Sequence, residues 1–131
     1  MPTTYCIDAD ASLLRFELSG PFDSWNLEEV ASALAQETRI RGGLRIFCDL
    51  SRVDGVSSIP KVRGILELAA SLGDRIVPCR CAVVAPRDAT YGMARAASVY
   101  AGQVPGLLVR AFRTAAPAEA WLFAEDDGGS D

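Results

Sequence analysis

The chain has 131 residues and a mass of 14.0 kDa, enough for one domain around one core and too little for a multidomain enzyme. Half of its residues are hydrophobic, 23% are charged and the mean hydropathy is +0.16, which excludes disorder as the overall state. The formal charge of −4 lies in residues 125–131, whose four acidic groups leave 13 acidic against 13 basic in residues 1–124, so the body is neutral and a nucleic-acid partner is not expected.

The pattern begins with two strands, Tyr5 to Asp8 and Leu13 to Leu18, around the polar break Ala9-Asp10-Ala11-Ser12. Leu14, Phe16 and Leu18 alternate with Leu13, Arg15 and Glu17, as in a hairpin with one apolar and one partly wet face. Ser19-Gly20-Pro21 reads as the end of that strand. A helix follows with Leu27, Val30, Ala31 and Leu34 at helical spacing. Arg41-Gly42-Gly43 closes it, and Leu44 to Leu50 reads as a strand buried on both faces towards its carboxyl end. The next helix is bracketed by Pro60 and Gly73, with Val62, Ile65, Leu66, Ala69 and Leu72 as its inner stripe. Two further units complete the body. Strand Cys81 to Ala85 leads through Pro86-Arg87-Asp88 to a helix over Ala89 to Ala101. Strand Leu107 to Phe112 leads through a cap at Thr114 to a helix over Ala118 to Ala124, with Trp121 and Leu122 inward.

A hairpin followed by alternating helix and strand predicts a single-domain α/β fold over residues 1–124, with residues 125–131 as an acidic disordered tail. The sheet is expected to be mixed but mainly parallel and five-stranded, a hairpin and then αβαβαβα, with about four helices. The hairpin edge is free to pair across a twofold axis in a homodimer.

Histidine is absent, which removes the commonest general base and the Ser/His and Cys/His dyads. The cysteines are Cys6, Cys48, Cys79 and Cys81; Cys6 and Cys48 fall within strands, where a thiol serves as a small apolar group. Cys79-Arg80-Cys81 has one intervening residue where a redox pair has two, and neither a metal nor a cofactor is expected. The start Met1-Pro2-Thr3-Thr4 contains no basic region or apolar signal core. The longest uncharged stretch, Ala96 to Val109, is interrupted by Gly102, Pro105 and Gly106 and is too short for a membrane span; a cytoplasmic location is the expectation.

In parallel α/β sheets functional groups gather at the carboxyl ends of the strands, where helix amino termini also point. That edge is expected to carry Asp49, Ser51, Arg52 and Asp54 after one strand, Arg87 and Asp88 after the next, and Arg113 and Thr114 after the last. Asp49 lacks the acidic pair and late lysine of a response-regulator phosphoacceptor. Arg87 and Arg113 are candidates for an anion site, and Ser57 and Ser58, at a helix start, for a phosphorylation switch. No nucleophile and base pair can be named for Asp49 or Asp54 with Arg87, so a non-enzyme is expected.

The run Asp49-Leu50-Ser51-Arg52-Val53-Asp54-Gly55-Val56-Ser57-Ser58 resembles the signature loop of STAS domains, the family of the bacterial anti-sigma-factor antagonists. There a strand ending in Asp-Leu-Ser leads to an Asp-Ser-Ser-Gly-like run at a helix start, where a serine or threonine is phosphorylated by a partner kinase. The segments Ala82 to Ala85, Tyr91 to Arg95, Val109 to Phe112 and Ala120-Trp121-Leu122 look closest to the uncharacterised STAS/SEC14-like branch. Aligned without a gap, Ser57 takes the family's aspartate position, Ser58 the first serine and Ile59 the position usually phosphorylated, while Pro60 replaces the glycine. The resemblance implies a regulatory module that binds a kinase or sigma-regulatory protein, with Ser58 as the residue carried over. Its SEC14-like side implies an alternative, a carrier or sensor for an anionic or lipid-like ligand lined by Tyr91, Met93, Tyr100 and Phe112.

Overall fold

The computed structural model describes residues 3–8, 12–21, 32, 36, 43–54, 67, 78–102 and 106–124. Five strands form one sheet in the order of the chain: β1 (Thr3–Asp8), β2 (Leu13–Pro21), β3 (Leu44–Asp54), β4 (Cys79–Val84) and β5 (Leu107–Phe112). β1 and β2 are antiparallel and every later pair is parallel, so the expected hairpin forms one edge and β5 the other. Two helices are described in full, α1 (Asp88–Ala101) and α2 (Ala115–Leu122). Of the two earlier predicted helices, Ser32, Gln36 and Glu67 are described, all helical and exposed; their apolar stripes lie outside the described residues.

Strand alternation builds two cores from one sheet. On one face Cys48, Leu50, Val53, Val83 and Ala85 pack with Ala94 of α1, flanked by Tyr91 and Met93. On the other, Leu13, Phe47, Ala82 and Val84 pack with Ala118 and Leu122 of α2, flanked by Phe112 and Trp121. β4 therefore contributes to both, with Ala82, Val83 and Val84 all buried.

Two strands run further than their composition suggests. β2 continues through Ser19-Gly20 to Pro21, and β3 through Ser51 to Asp54, where turns are expected from sequence. The two extensions pair with each other, Ser19 with Arg52, Gly20 with Val53 and Pro21 with Asp54, after a register shift between Glu17 and Ser19. The shift places one extra residue on β3. As a result Leu50 and Val53, an odd number of positions apart, reach the same core. Pro21 is tolerated as the last paired residue of its strand. Gly43 and Gly106, with φ of 64° and 83°, supply the left-handed turns that lead into β3 and β5.

The helix starts also differ in detail. Asp88, expected in the break before the helix, is the first residue of α1; Arg87 holds the cap position without a side-chain bond, and Thr114 does the same for α2. The last helix begins three residues earlier than expected and ends at Leu122. Cys48 and Cys79 are buried, but Cys6 is exposed on β1 and does not serve as a core residue.

Candidate functional site

The carboxyl edge is organised around the projecting end of β3. β4 pairs with β3 only as far as Asp49 and Val84, so Leu50 to Asp54 extend past β4, and of these Arg52, Val53 and Asp54 are held in register by β2. Asp49 stands at the irregular step, and its Oδ1 accepts the backbone N–H of Ser51 at 2.9 Å. This gives the Asp-Leu-Ser run a physical role: the carboxylate satisfies a donor where the ladder is interrupted. Ser51 and Arg52 are exposed on the extension, as strand residues and not loop residues. Asp54 ends the strand, and Ser57 and Ser58 lie outside the described residues.

The two arginines proposed for an anion site do come to this edge, and each is engaged within the fold. Arg87 Nη1 donates to the Val53 carbonyl at 3.0 Å, fastening the end of β3 to the start of α1. Arg113 Nη1 donates to Asp88 Oδ1 at 2.6 Å and to the Pro86 carbonyl at 3.3 Å, and its guanidinium lies 4.1 Å from the centre of the Tyr91 ring. Thr90, the buried polar residue nearby, donates its hydroxyl to the Arg87 carbonyl at 3.1 Å. Asp49 and Ser51 thus form one local unit, and Arg87, Asp88 and Arg113 form a second that ties β3, α1 and the end of β5 together.

Of the residues proposed as a ligand lining, Tyr91 and Met93 lie on the opposite face of the sheet from Phe112. Tyr91 and Met93 flank the core on the α1 face, whereas Phe112 packs on Trp121 on the α2 face, their ring centres 5.8 Å apart and their planes tilted by 46°. Among the described residues no cluster of three metal-ligating side chains occurs, and no helix is long and apolar enough to cross a membrane. The thiols of Cys48 and Cys81 are pushed well above their ordinary range by burial, with lesser contributions from Asp49 and from the neighbouring cysteines respectively; burial raises Cys79 to about 12.

Sequence reasoning missed a second polar cluster, at the amino edge of the sheet beneath the end of α2. Arg45 and Arg80 are register partners on β3 and β4. Arg45 Nε donates to the Leu122 carbonyl at 3.2 Å, and Arg80 Nη1 to those of Trp121 at 2.8 Å and Ala124 at 3.1 Å. The guanidiniums lie 5.5 Å from the ring centres of Phe123 and Trp121 respectively. The signal available in the sequence was an arginine at the second position of each of two apolar strands, Leu44-Arg45-Ile46-Phe47 and Cys79-Arg80-Cys81-Ala82.

The mixed sheet with one antiparallel edge and helices on both faces, with an Asp-Leu-Ser step within its central strand, has a SpoIIAA-like fold. Among solved structures, the chain is similar to an uncharacterized protein of the DUF3478 family with a SpoIIAA-like fold from Shewanella loihica PV-4, with a TM-score of 0.58 and 20% identity over 92% of this chain and 93% of that one. It is also similar to an anti-sigma factor antagonist from Mycobacterium paratuberculosis, with a TM-score of 0.47 and 14% identity over 92% and 93% of the two chains. No family model matches the sequence, and no curated protein does.

Proposed function

We propose that this protein is a non-enzymatic regulatory module of the anti-sigma-factor-antagonist kind, which binds a kinase or sigma-regulatory protein in the cytoplasm through the carboxyl edge of its sheet. The observation that carries the reading is the projecting end of β3, with Ser51 and Arg52 exposed on a paired strand that leads within a few residues to Ser57 and Ser58. A paired strand presents side chains at fixed spacing, which suits recognition by a protein surface. Arg87 supports the same reading by tying Val53 to the start of α1 and so steadying the rail. Ser58 is the switch in this proposal: added phosphate would bring close to two negative charges to a strand end that already carries Asp49 and Asp54.

The test is capture of the tagged protein from its native cells with phosphatase inhibitors present, followed by mass analysis of the peptide containing Ser57 and Ser58. Phosphate on Ser58, together with a stoichiometric partner that Ser58→Glu loses and Ser58→Ala keeps, is the expected result. An unmodified peptide and equal partner binding by both variants would reject the switch. A small molecule retained in native mass spectrometry, with no protein partner, would favour the carrier reading instead.

A further inference from the structure

We propose that the outer edge of β5 takes an extended acidic segment of another protein as an added strand, with a carboxylate of that segment against Arg110 and an apolar side chain against Leu108. β5 ends the sheet and pairs with β4 alone. The backbone N–H groups of Cys79, at the start of β4, and of Ala85, just past its end, donate to the carbonyls of Gly106 and Phe112, each at 2.8 Å. Backbone groups of successive strand residues point to opposite sides, so the even-numbered residues of β5 face β4. Leu107, Val109 and Ala111 then turn their N–H and C=O groups to the outer edge, where no strand takes them up among the described residues. Such a row of donors and acceptors at strand spacing is a template for strand addition.

The side chains beside that edge fix what the added strand carries. Leu108 and Arg110 lie on the α2 face with Phe112, two and four positions along. Leu108 is 58% exposed although it stands in a strand. Arg110 is exposed; its guanidinium lies 5.5 Å from the centre of the Phe112 ring, and no carboxylate pairs with it among the described residues. Arg80, the register partner of Leu108, gives its hydrogen bonds to carbonyls, so its charge adds to that of Arg110. The positions of β4 and β5 on this face, Arg80, Ala82 and Val84 with Leu108, Arg110 and Phe112, include no acid. Glu119 of α2 is bound to Arg15 of β2, on the side away from β5. The edge is therefore cationic and apolar within a body whose formal charge is balanced.

That combination selects the occupant. A second copy adding its own β5 across a twofold axis would bring Arg80 and Arg110 of both chains to one face, like charge beside like charge. A nucleic acid or an anionic membrane calls for a broad basic field, which a neutral body does not supply. A segment with an apolar and an acidic side chain two residues apart answers Leu108 and Arg110 together, because residues two apart share a face, while its main chain completes the open edge. The surface lies on a different edge from the projecting end of β3, so the two can be occupied independently.

The test titrates the isotope-labelled full chain with the blocked peptide Thr-Leu-Thr-Glu-Thr-Glu-Thr and follows backbone amide resonances. The expected result is a saturable shift of the Leu107, Val109 and Ala111 amides, with those of Ser51 and Arg52 unmoved. The same peptide with glutamine in place of glutamate is expected to bind about tenfold more weakly, and a peptide methylated on alternate backbone nitrogens not to bind. Arg110→Glu, an exchange at an exposed position, is expected to reverse the preference towards a peptide with lysine in place of glutamate. No shift at millimolar peptide, equal binding of the glutamate and glutamine peptides, or shifts confined to the end of β3 overturn the proposal. Shifts along β5 that arise without peptide as the protein is concentrated also overturn it, since the occupant is then a second copy.

Discussion

The two ends of the sheet use the same chemistry for different ends. At the carboxyl edge Arg87 and Arg113 hold the carbonyls of Val53 and Pro86, and the charge of Arg113 is answered by Asp88 at the start of α1. At the amino edge Arg45 and Arg80 hold the carbonyls of Trp121, Leu122 and Ala124, and serve as the cations that α2 does not carry in its own last turn. In both places a guanidinium replaces a terminal backbone partner that the helix or strand cannot supply. The difference lies in exposure. The Arg113–Asp88 pair is open to solvent, whereas Arg45 and Arg80 are flanked by aromatic rings and half-covered by the helix they cap. An arginine at the expected functional edge is therefore no better a mark of function than one inside an apolar strand.

The largest expected effect tests the register on which both edges depend. Arg80 faces α2 because Cys79 and Cys81, its neighbours in β4, face the other way, and a slip of one residue would exchange them. A buried thiol stays neutral in the folded chain, while in the unfolded chain it ionises near its ordinary value of 9. Folded-state values that are raised stabilise fully below that point and lose their contribution as the pH climbs, for Cys79 between 9 and about 12. Stability is therefore expected to fall steeply across this alkaline window, and Cys79→Ala to flatten the fall in denaturant titrations. At neutral pH Cys6 alone is expected to react with a thiol reagent before unfolding. Fast labelling of Cys48, Cys79 or Cys81 would break the register, and with it the placement of both arginine pairs.

A smaller effect separates the two edges directly. Arg80→Ala removes two charge-assisted bonds to the end of α2 and the cation–π contact with Trp121, and is expected to cost about 1.5 to 3 kcal/mol in denaturant unfolding. Arg87→Ala removes one bond from an exposed residue, for which about 1 kcal/mol is expected. Equal losses would mean that burial beside the rings adds nothing.

The sheet was legible because its strands are apolar, alternating and separated by a polar break, glycine or proline, and its hairpin and parallel order follow from the element sequence alone. The extensions were not, since Ser19-Gly20-Pro21 and Ser51 to Asp54 carry turn-forming residues whose local preference is overridden by pairing with each other across a bulge. The placement of Asp49, Arg87 and Arg113 at one edge was legible from strand direction. Their internal partners were not, because Asp49 binds its own second neighbour and the arginines reach carbonyls that no side-chain pattern reveals. Arg45 and Arg80 escaped notice for the same reason: a cation capping a distant helix leaves no mark at the helix itself.

The smallest effect concerns Asp88. Its carboxylate is 2.6 Å from Arg113 but 94% exposed, and the arginine is 47% exposed, so water screens the pair and two mobile side chains must be ordered to form it. Asp88 also stands in the first turn of α1, where a negative charge meets the positive end of the helix dipole. Both contributions are electrostatic and both weaken with salt. Asp88→Asn is expected to cost roughly 0.5 kcal/mol at low ionic strength and to be indistinguishable from the parent near 1 M salt. Arg80→Ala, whose loss includes carbonyl bonds and ring packing in a half-buried setting, is expected to keep most of its cost there. If the two variants responded to salt alike, the amino-edge arginines would be surface cations like Arg113, and the contrast between the two edges would be lost.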